Sequence, residues 1–295
     1  MTDTDLGRWI GRTTQTQDTI NPAIVAQLAA TLDLPDIMSA PAARSLPPCW
    51  HWAFFNPLAV QSGLGPDGHP ERGDFLPPVT LPRRMWAGSR LVWHGDFEVG
   101  SRVDKRSTIL NVQSKSGRGG EMVFVTVGHA YEIDGQPILS EEHDIVYRED
   151  AGDAEREALA SLAQRIRAGE HTFERSGARQ HQVDAGPVML FRYSAVTFNG
   201  HRIHYDRSYC EQIEHYPGLI VHGPLIATLL ITWAGMTLYP QRRIREFAFR
   251  AQRPTFDLAP LHLHADELAA DGSTLALWST NNVGEIALSA QVRFD

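Results

Sequence analysis

The chain has 295 residues, longer than the commonest single domain and suited to two units of roughly 100–150 residues each. Its 27 lysines and arginines against 35 aspartates and glutamates give a formal charge of −8. A nucleic-acid backbone meets net repulsion, and no basic stripe with interleaved aromatics offsets it. Cys49 and Cys210, the two cysteines, form no CxxC pair and no zinc spacing, so a reducing compartment and no structural metal are expected. The acidic stretch 1–5 has no apolar run behind it, and a cytoplasmic protein without a signal peptide is the expectation.

In chain order, residues 6–20 read as an opening strand. Asn21-Pro22 then starts a short helix through Leu32, with Asn21 as its cap and Pro22 at its first position. Residues 47–55 are too rich in aromatics for a solvent loop and should pack. Residues 63–82 are rich in glycine and proline and read as a long ordered loop, a kind of segment that often carries function. Four strands follow, at 85–93, 101–114, 121–133 and 136–147, expected as an antiparallel meander with turn chemistry at 116–120 and Asp134-Gly135. The charged, alanine-rich stretch 148–167 suits a helical linker.

The second part repeats this order. It offers a strand at 188–198, helical material through Tyr239, and strands at 244–250, 260–268, 273–281 and 284–294. Residues 91–97 and 247–252 echo one another weakly. The stretch 215–241 holds no Asp, Glu, Lys or Arg, yet His222-Gly223-Pro224 interrupts it. The helix therefore starts near Pro224 and ends near Leu238, a length of about 22 Å, short of the roughly 30 Å needed to span a bilayer. A helix apolar all round is a buried one, around which an antiparallel sheet can curl.

Chemistry concentrates in Phe198-Asn199-Gly200-His201-Arg202-Ile203-His204-Tyr205-Asp206 and the following Val221-His222-Gly223-Pro224. His204 and His201 are the candidates for moving a proton near neutral pH. The Asn199 amide can hold a water or an imidazole, and Gly223 offers an unhindered backbone N–H at a helix start, where negative charge is favoured. With 13 histidines in the chain some clustering is expected by chance; His69, His94, His129, His171, His181 and His215 are read as structural or solvated. Arg83-Arg84 and Arg242-Arg243-Arg245 read as a solvated face, with contact to the phosphates of a nucleotide-bearing carrier as the functional alternative.

This central stretch resembles the hydratase motif of the MaoC-like hot-dog family, whose usual form is Gly-Asp-x-Asn-Pro-aliphatic-His followed later by His-Gly-Met. Trp50-His51-Trp52, Phe75-Leu76-Pro77-Pro78 and residues 81–88 are similar to the first half of double hot-dog members, among them mesaconyl- and itaconyl-CoA hydratases and type 2 3-hydroxyacyl-thioester dehydratases. The resemblance implies an α+β double hot-dog, two antiparallel sheets each wrapped around a central helix. Residues 1–150 would be a pocket-shaping, non-catalytic unit, 151–185 a linker, and 186–295 the unit carrying the motif.

On that register His204 is the catalytic histidine, while Asn199 stands where an aspartate is usual, His201 where asparagine is and Arg202 where proline is. Asp206 is the nearest carboxylate that can compensate, with helix capping as its other reading. The implied catalytic set is His204, Asn199 and Gly223; Arg84, Arg202, His201, Tyr205 and His222 would bind substrate. The expected reaction is reversible hydration of an unsaturated dicarboxylyl-CoA, mesaconyl- or itaconyl-CoA to citramalyl-CoA, with no cofactor beyond the CoA of the substrate. A fatty 3-hydroxyacyl-thioester dehydratase, a non-catalytic acyl-CoA-binding protein and a thioesterase are the competing readings. The expected partner is the acyl-CoA, with no nucleic acid and no membrane; further pairing into a homo-oligomer is left open.

Overall fold

A computed structural model describes residues 6–40, 45–71, 73–117 and 120–295; the acidic start 1–5 and Arg118-Gly119 of the expected turn lie outside them. The opening segment is a short 3-10 turn, Leu6–Trp9, followed by β1 at Thr13–Thr19. α1, Pro22–Thr31, starts as expected: the Asn21 side chain accepts the Ala23 N–H at 2.8 Å, a cap contributing about 1 kcal/mol. α2 is Pro35–Ser39, and β2 is Arg83–Trp93. β3 at Arg102–Gly117, β4 at Gly120–Ile133 and β5 at Gln136–Arg148 follow. Next come α3 (Asp153–Arg167), β6 (Arg179–Val183), α4 (Pro187–Val196), α5 (Arg207–Gln212) and α6 (Gly223–Trp233). The chain closes with β7 (Ile244–Ala251), β8 (Leu261–Ala265), β9 (Thr274–Thr280) and β10 (Ile286–Phe294).

The strands form one ten-stranded sheet in the order β1-β3-β4-β5-β2-β7-β10-β9-β8-β6. Read from either end, the order is the same pattern of five. Each half is an antiparallel sheet, and the two join edge to edge where β2 pairs with β7, Leu91 opposite Phe247. The weakly echoing segments are thus the two strands at the pseudo-two-fold axis. This is the expected α+β double hot-dog, its two sheets continuous. The first-half meander holds for β3, β4 and β5, whereas β2 lies beside β5 rather than β3.

α6 lies against β7, β9 and β10. Leu225, Ile226, Ala227, Leu230, Ile231 and Trp233 are all buried on its 11 residues, and each large apolar side chain contributes about 1.5–3 kcal/mol. In the first half, the place between the opening helix and the central strand holds the 3-10 turn Trp50–Ala53 instead of a long helix. Trp50, Phe54 and Phe55 are buried there, as their density predicted.

Residues 188–198, expected as a strand, instead carry the helix α4 as far as Val196 and then turn. β-Branched and aromatic residues favour a strand locally, but Gly186-Pro187 starts a helix, and Leu190, Tyr193 and Ser194 bury at helical spacing. The opening strand of the second half is instead β6, within the stretch expected as linker, paired with β8. Among the described residues no helix is long and apolar enough to cross a membrane.

Candidate active site

α4 ends at Val196, and Phe198 turns the chain with φ 50°, a left-handed conformation that costs a bulky residue energy and tends to occur where function fixes the backbone. The Asn199 N–H bonds the Ser194 carbonyl at 2.8 Å. Asn199 Oδ1 then accepts the His201 N–H at 3.0 Å, so the amide NH₂ is the end left to face outward. Asp206 finishes the segment by capping α5 through the Tyr209 N–H at 3.0 Å and taking Arg202 at 2.8 and 3.0 Å. Of its two readings, the structure fits capping.

His204 lies one layer inside, 7% exposed. Its Nδ1–H donates to the Ile220 carbonyl at 2.8 Å, which leaves the lone pair on Nε2. Burial pushes its pKa down to about 4, against the upward pull of the Ile220 bond. The ring stacks on His222 with centroids 3.6 Å apart, and His222, fully buried, is held by Ser194 Oγ at 2.8 Å. Burial, reinforced by the neighbouring histidines, also lowers the His222 pKa, so two neutral imidazoles stack face to face. His222, expected to bind substrate, is fully buried and stacks on the His204 ring.

A cavity of about 820 Å³ runs past this segment. Asn199, Gly200, Arg202, Tyr205 and Pro224 stand in its wall with Arg84 from β2 and Trp52 and Trp86 from the first half. A Cβ placed on Gly223 would meet nothing within 4 Å, so its backbone faces open space at the start of α6. Arg202, expected to bind substrate, is committed to Asp206, to the Pro66 carbonyl at 3.0 Å and to stacking over Tyr209. Tyr205 donates to the Gly200 carbonyl at 2.9 Å. Arg84 is half-buried and makes no hydrogen bond or ion pair among the described residues. The other paired arginines hold the protein itself: Arg83 bridges to Glu214 at 3.1 Å across the two halves, Arg243 meets Asp96, and Arg245 donates to the Trp93 carbonyl.

The first-half loop 65–70 docks on the motif. The Arg202 N–H bonds the Asp67 carbonyl at 2.9 Å. Gly68 has φ +87°, and a Cβ there would lie 2.0 Å from the Gly200 carbonyl oxygen. Only glycine satisfies both the angle and the approach. Gly68→Ala is expected to cost about 1–3 kcal/mol and to lower turnover together with stability; an unchanged urea midpoint would contradict this docking.

Two groups escaped sequence reading. His69, expected to be structural or solvated, stands in the cavity wall, its Nδ1 2.9 Å from Asp67 Oδ2 and its ring 4.1 Å from His201. Asp67, His69 and His201 bring one ligand-type atom each within 4.8 Å of one another, although no metal site was expected. The signal was the Asp-Gly-His turn inside the glycine-rich loop. The other group centres on Glu141, 3% exposed, which accepts from His51, Trp52, Ser89 and Tyr131 at 3.1–3.3 Å. Burial alone would raise its pKa, but His51, through its hydrogen bond and charge, holds it well below the usual carboxylate range. No motif marks this buried network in the sequence.

A duplicated hot-dog sheet with an imidazole beneath a helix-start cavity is an arrangement that can move a proton beside a stabilised anion, as a hydratase or dehydratase requires. Residues 49–257 match the family described as hydroxyacyl-thioester dehydratase type 2, and the chain belongs to it, an enzyme family of the hydro-lyase type. The chain is 43% identical over 293 residues to mesaconyl-C(4)-CoA hydratase of Chloroflexus aurantiacus, covering 99% of each protein. It is 28% identical over 276 residues to the mitochondrial hydroxyacyl-thioester dehydratase type 2 of Schizosaccharomyces pombe, covering 85% of this chain and 89% of that one. A solved MaoC-like dehydratase superposes with a TM-score of 0.67 at 14% identity, over 98% of this chain and all of the other. HtdX of Mycobacterium tuberculosis gives 0.64 at 16%, over 96% of this chain and 100% of its own. At those identities the likeness speaks for the fold alone.

Proposed function

We propose that this enzyme reversibly adds water to a short, branched, unsaturated dicarboxylyl-CoA of the mesaconyl type, giving the citramalyl-type hydroxy thioester. The observation that carries the dicarboxylyl assignment is Arg84, a half-buried cation in the wall of the reaction cavity that has no hydrogen-bond or ion-pair partner among the described residues. The likeness to the Chloroflexus hydratase supports the same substrate class. A fatty 3-hydroxyacyl thioester calls for an apolar tunnel, in which a buried unpaired guanidinium is costly.

In this reading the thioester carbonyl lies at the start of α6, where the Gly223 N–H and the helix dipole stabilise the enolate-like charge. A donor of this kind contributes roughly 3–4 kcal/mol. His204 Nε2, neutral at pH 7, takes the proton of a water oriented by the Asn199 amide as its oxygen bonds the β-carbon. Residues 186–295 supply this motif, and 1–150 act as the pocket-shaping unit that contributes Arg84 and the aromatic wall. No cofactor is required beyond the CoA of the substrate. Both cysteines are free and buried, which fits a cytoplasmic setting.

Mass analysis of the product from mesaconyl-CoA tests reaction and substrate together. A hydrated thioester is expected, whereas release of free CoA would make the protein a thioesterase. Arg84→Met is expected to lower kcat/KM for mesaconyl-CoA by about 10–100-fold, the loss of one charge-assisted hydrogen bond, and to spare the monocarboxylate crotonyl-CoA. Equal losses on both esters would remove Arg84 from carboxylate binding.

A further inference from the structure

We propose that His69, held by Asp67, is a second acid/base group of the reaction, supplied to the motif by the loop of the first half. This rests on the hydration reading above. Hydration needs two proton movements, one from water as its oxygen bonds the β-carbon and one to the α-carbon as the enolate collapses. His204 accounts for the first.

The cavity wall narrows the choice for the second. Its titratable groups among the described residues are His69, Arg84, Arg202, Tyr193 and Tyr205, with no carboxylate among them. A guanidinium does not give up its proton in a protein. Burial raises the Tyr193 pKa, and Tyr205 is engaged with Gly200. The imidazole of His69 is the group that remains.

Its setting is that of a working base. Asp67 Oδ2 meets the ring at Nδ1, 2.9 Å away, while Oδ1 accepts the His69 backbone N–H at 3.0 Å. The carboxylate is held low by these bonds to His69 against its burial, so Nδ1 is the donor and Nε2 becomes the basic nitrogen. Asp67 is then a positioning residue and supplies the carboxylate that Asn199 and the Arg202-bound Asp206 do not. His201 lies between the two acid/base groups, its ring 4.1 Å from His69 and 5.4 Å from His204.

In the hydration direction, His204 Nε2 takes a proton from water, the oxygen bonds the β-carbon, and the π pair moves toward the thioester carbonyl. Protonated His69 gives its Nε2 proton to the α-carbon as that pair returns. The proton gained by His204 passes through His201 to His69, and every atom and charge is restored.

Wild type, His69→Gln, His69→Ala and Asp67→Asn are compared on mesaconyl-CoA by loss of enoyl-thioester absorbance, with near-UV circular dichroism as the check on folding. His69→Gln and His69→Ala are expected to lose kcat by about 10²–10⁴-fold with little change in KM, and added imidazole to restore part of the His69→Ala rate. Asp67→Asn is expected to lose less and to move the His69 limb of the pH profile downward. The anion that favours its imidazolium is gone, while the facing His201, His204, Arg84 and Arg202 remain. Wild-type kcat in His69→Gln, or folded His69→Ala that imidazole does not rescue, would overturn the proposal. So would loss of wild-type activity to a chelator with recovery on adding zinc, which would make the trio a metal site. His204→Ala run in parallel separates the failures: no wild-type turnover of any enoyl thioester sinks the hydration reading, and turnover that needs His204 but not His69 sinks this inference alone.

Discussion

His204→Gln is expected to lower kcat for enoyl-thioester hydration by about 10²–10⁴-fold, the span typical of removing a general base, while leaving CoA-ester affinity close to wild type. Glutamine can keep a donor toward the Ile220 carbonyl, so the segment from Ile203 to Ile220 stays zipped. What it cannot keep is the basic Nε2. Because burial sets the His204 pKa at about 4, the wild-type base is unprotonated throughout the neutral range. The acid limb of the kcat/KM profile that belongs to His204 should therefore be complete by about pH 5, one unit past that value, and fall as pH approaches 4, while any limb at higher pH belongs to the group that protonates the α-carbon. Stopped-flow rates beside calorimetric binding of the CoA ester check both parts. A variant with wild-type kcat would remove His204 from catalysis, and equally slow turnover by wild type and variant would turn the protein into a binder.

Much of this site was legible because its chemistry is local. Asn199 to Asp206 and His222 to Pro224 lie on two short segments, and glycine, proline and histidine there announce a helix start beside imidazoles, whereas the burial that pulls their pKa values down is not visible in the sequence. α6 was readable from its unbroken apolar run, and so were α1 from its cap and nine of the strands from alternation and turns. α4 was not, since its propensities favour a strand and only burial at Leu190, Tyr193 and Ser194 reveals the helical period. The Asp67–His69 pair stayed hidden for another reason. It reaches the motif across more than a hundred residues, through a contact that two glycine backbones permit. The Glu141 network likewise joins β5 to the Trp50–Ala53 turn and to β2 and β4, which no spacing rule anticipates.

The fold should be unusually sensitive to mild acid. His204 and His143 titrate near 4, and His129, His201 and His222 are also held below the usual histidine value, burial being the leading cause in each. In the unfolded chain they protonate near pH 6.5. The native state therefore binds fewer protons than the unfolded state as pH falls from about 6.5 toward 4, and stability must drop across that window. It is fully present above 6.5 and lost on the way down through the folded values. His204 alone accounts for about 3 kcal/mol, its displacement of roughly 2.5 pH units at 1.36 kcal/mol each, against a total stability that is typically about 5–15 kcal/mol. Glu141, held low by His51, acts in the same direction below the ordinary carboxylate range. Urea unfolding between pH 7.5 and about 4.5 should show the free energy level down to about 6.5 and then falling by several kcal/mol as pH enters the window set by those histidine values. His204→Gln should flatten that dependence by up to one proton, since glutamine does not titrate in either state. A free energy of unfolding that stays level across this interval would mean that these imidazoles are not kept neutral by the fold, and the assignment of His204 as a base already free of its proton at pH 7 would fall with it.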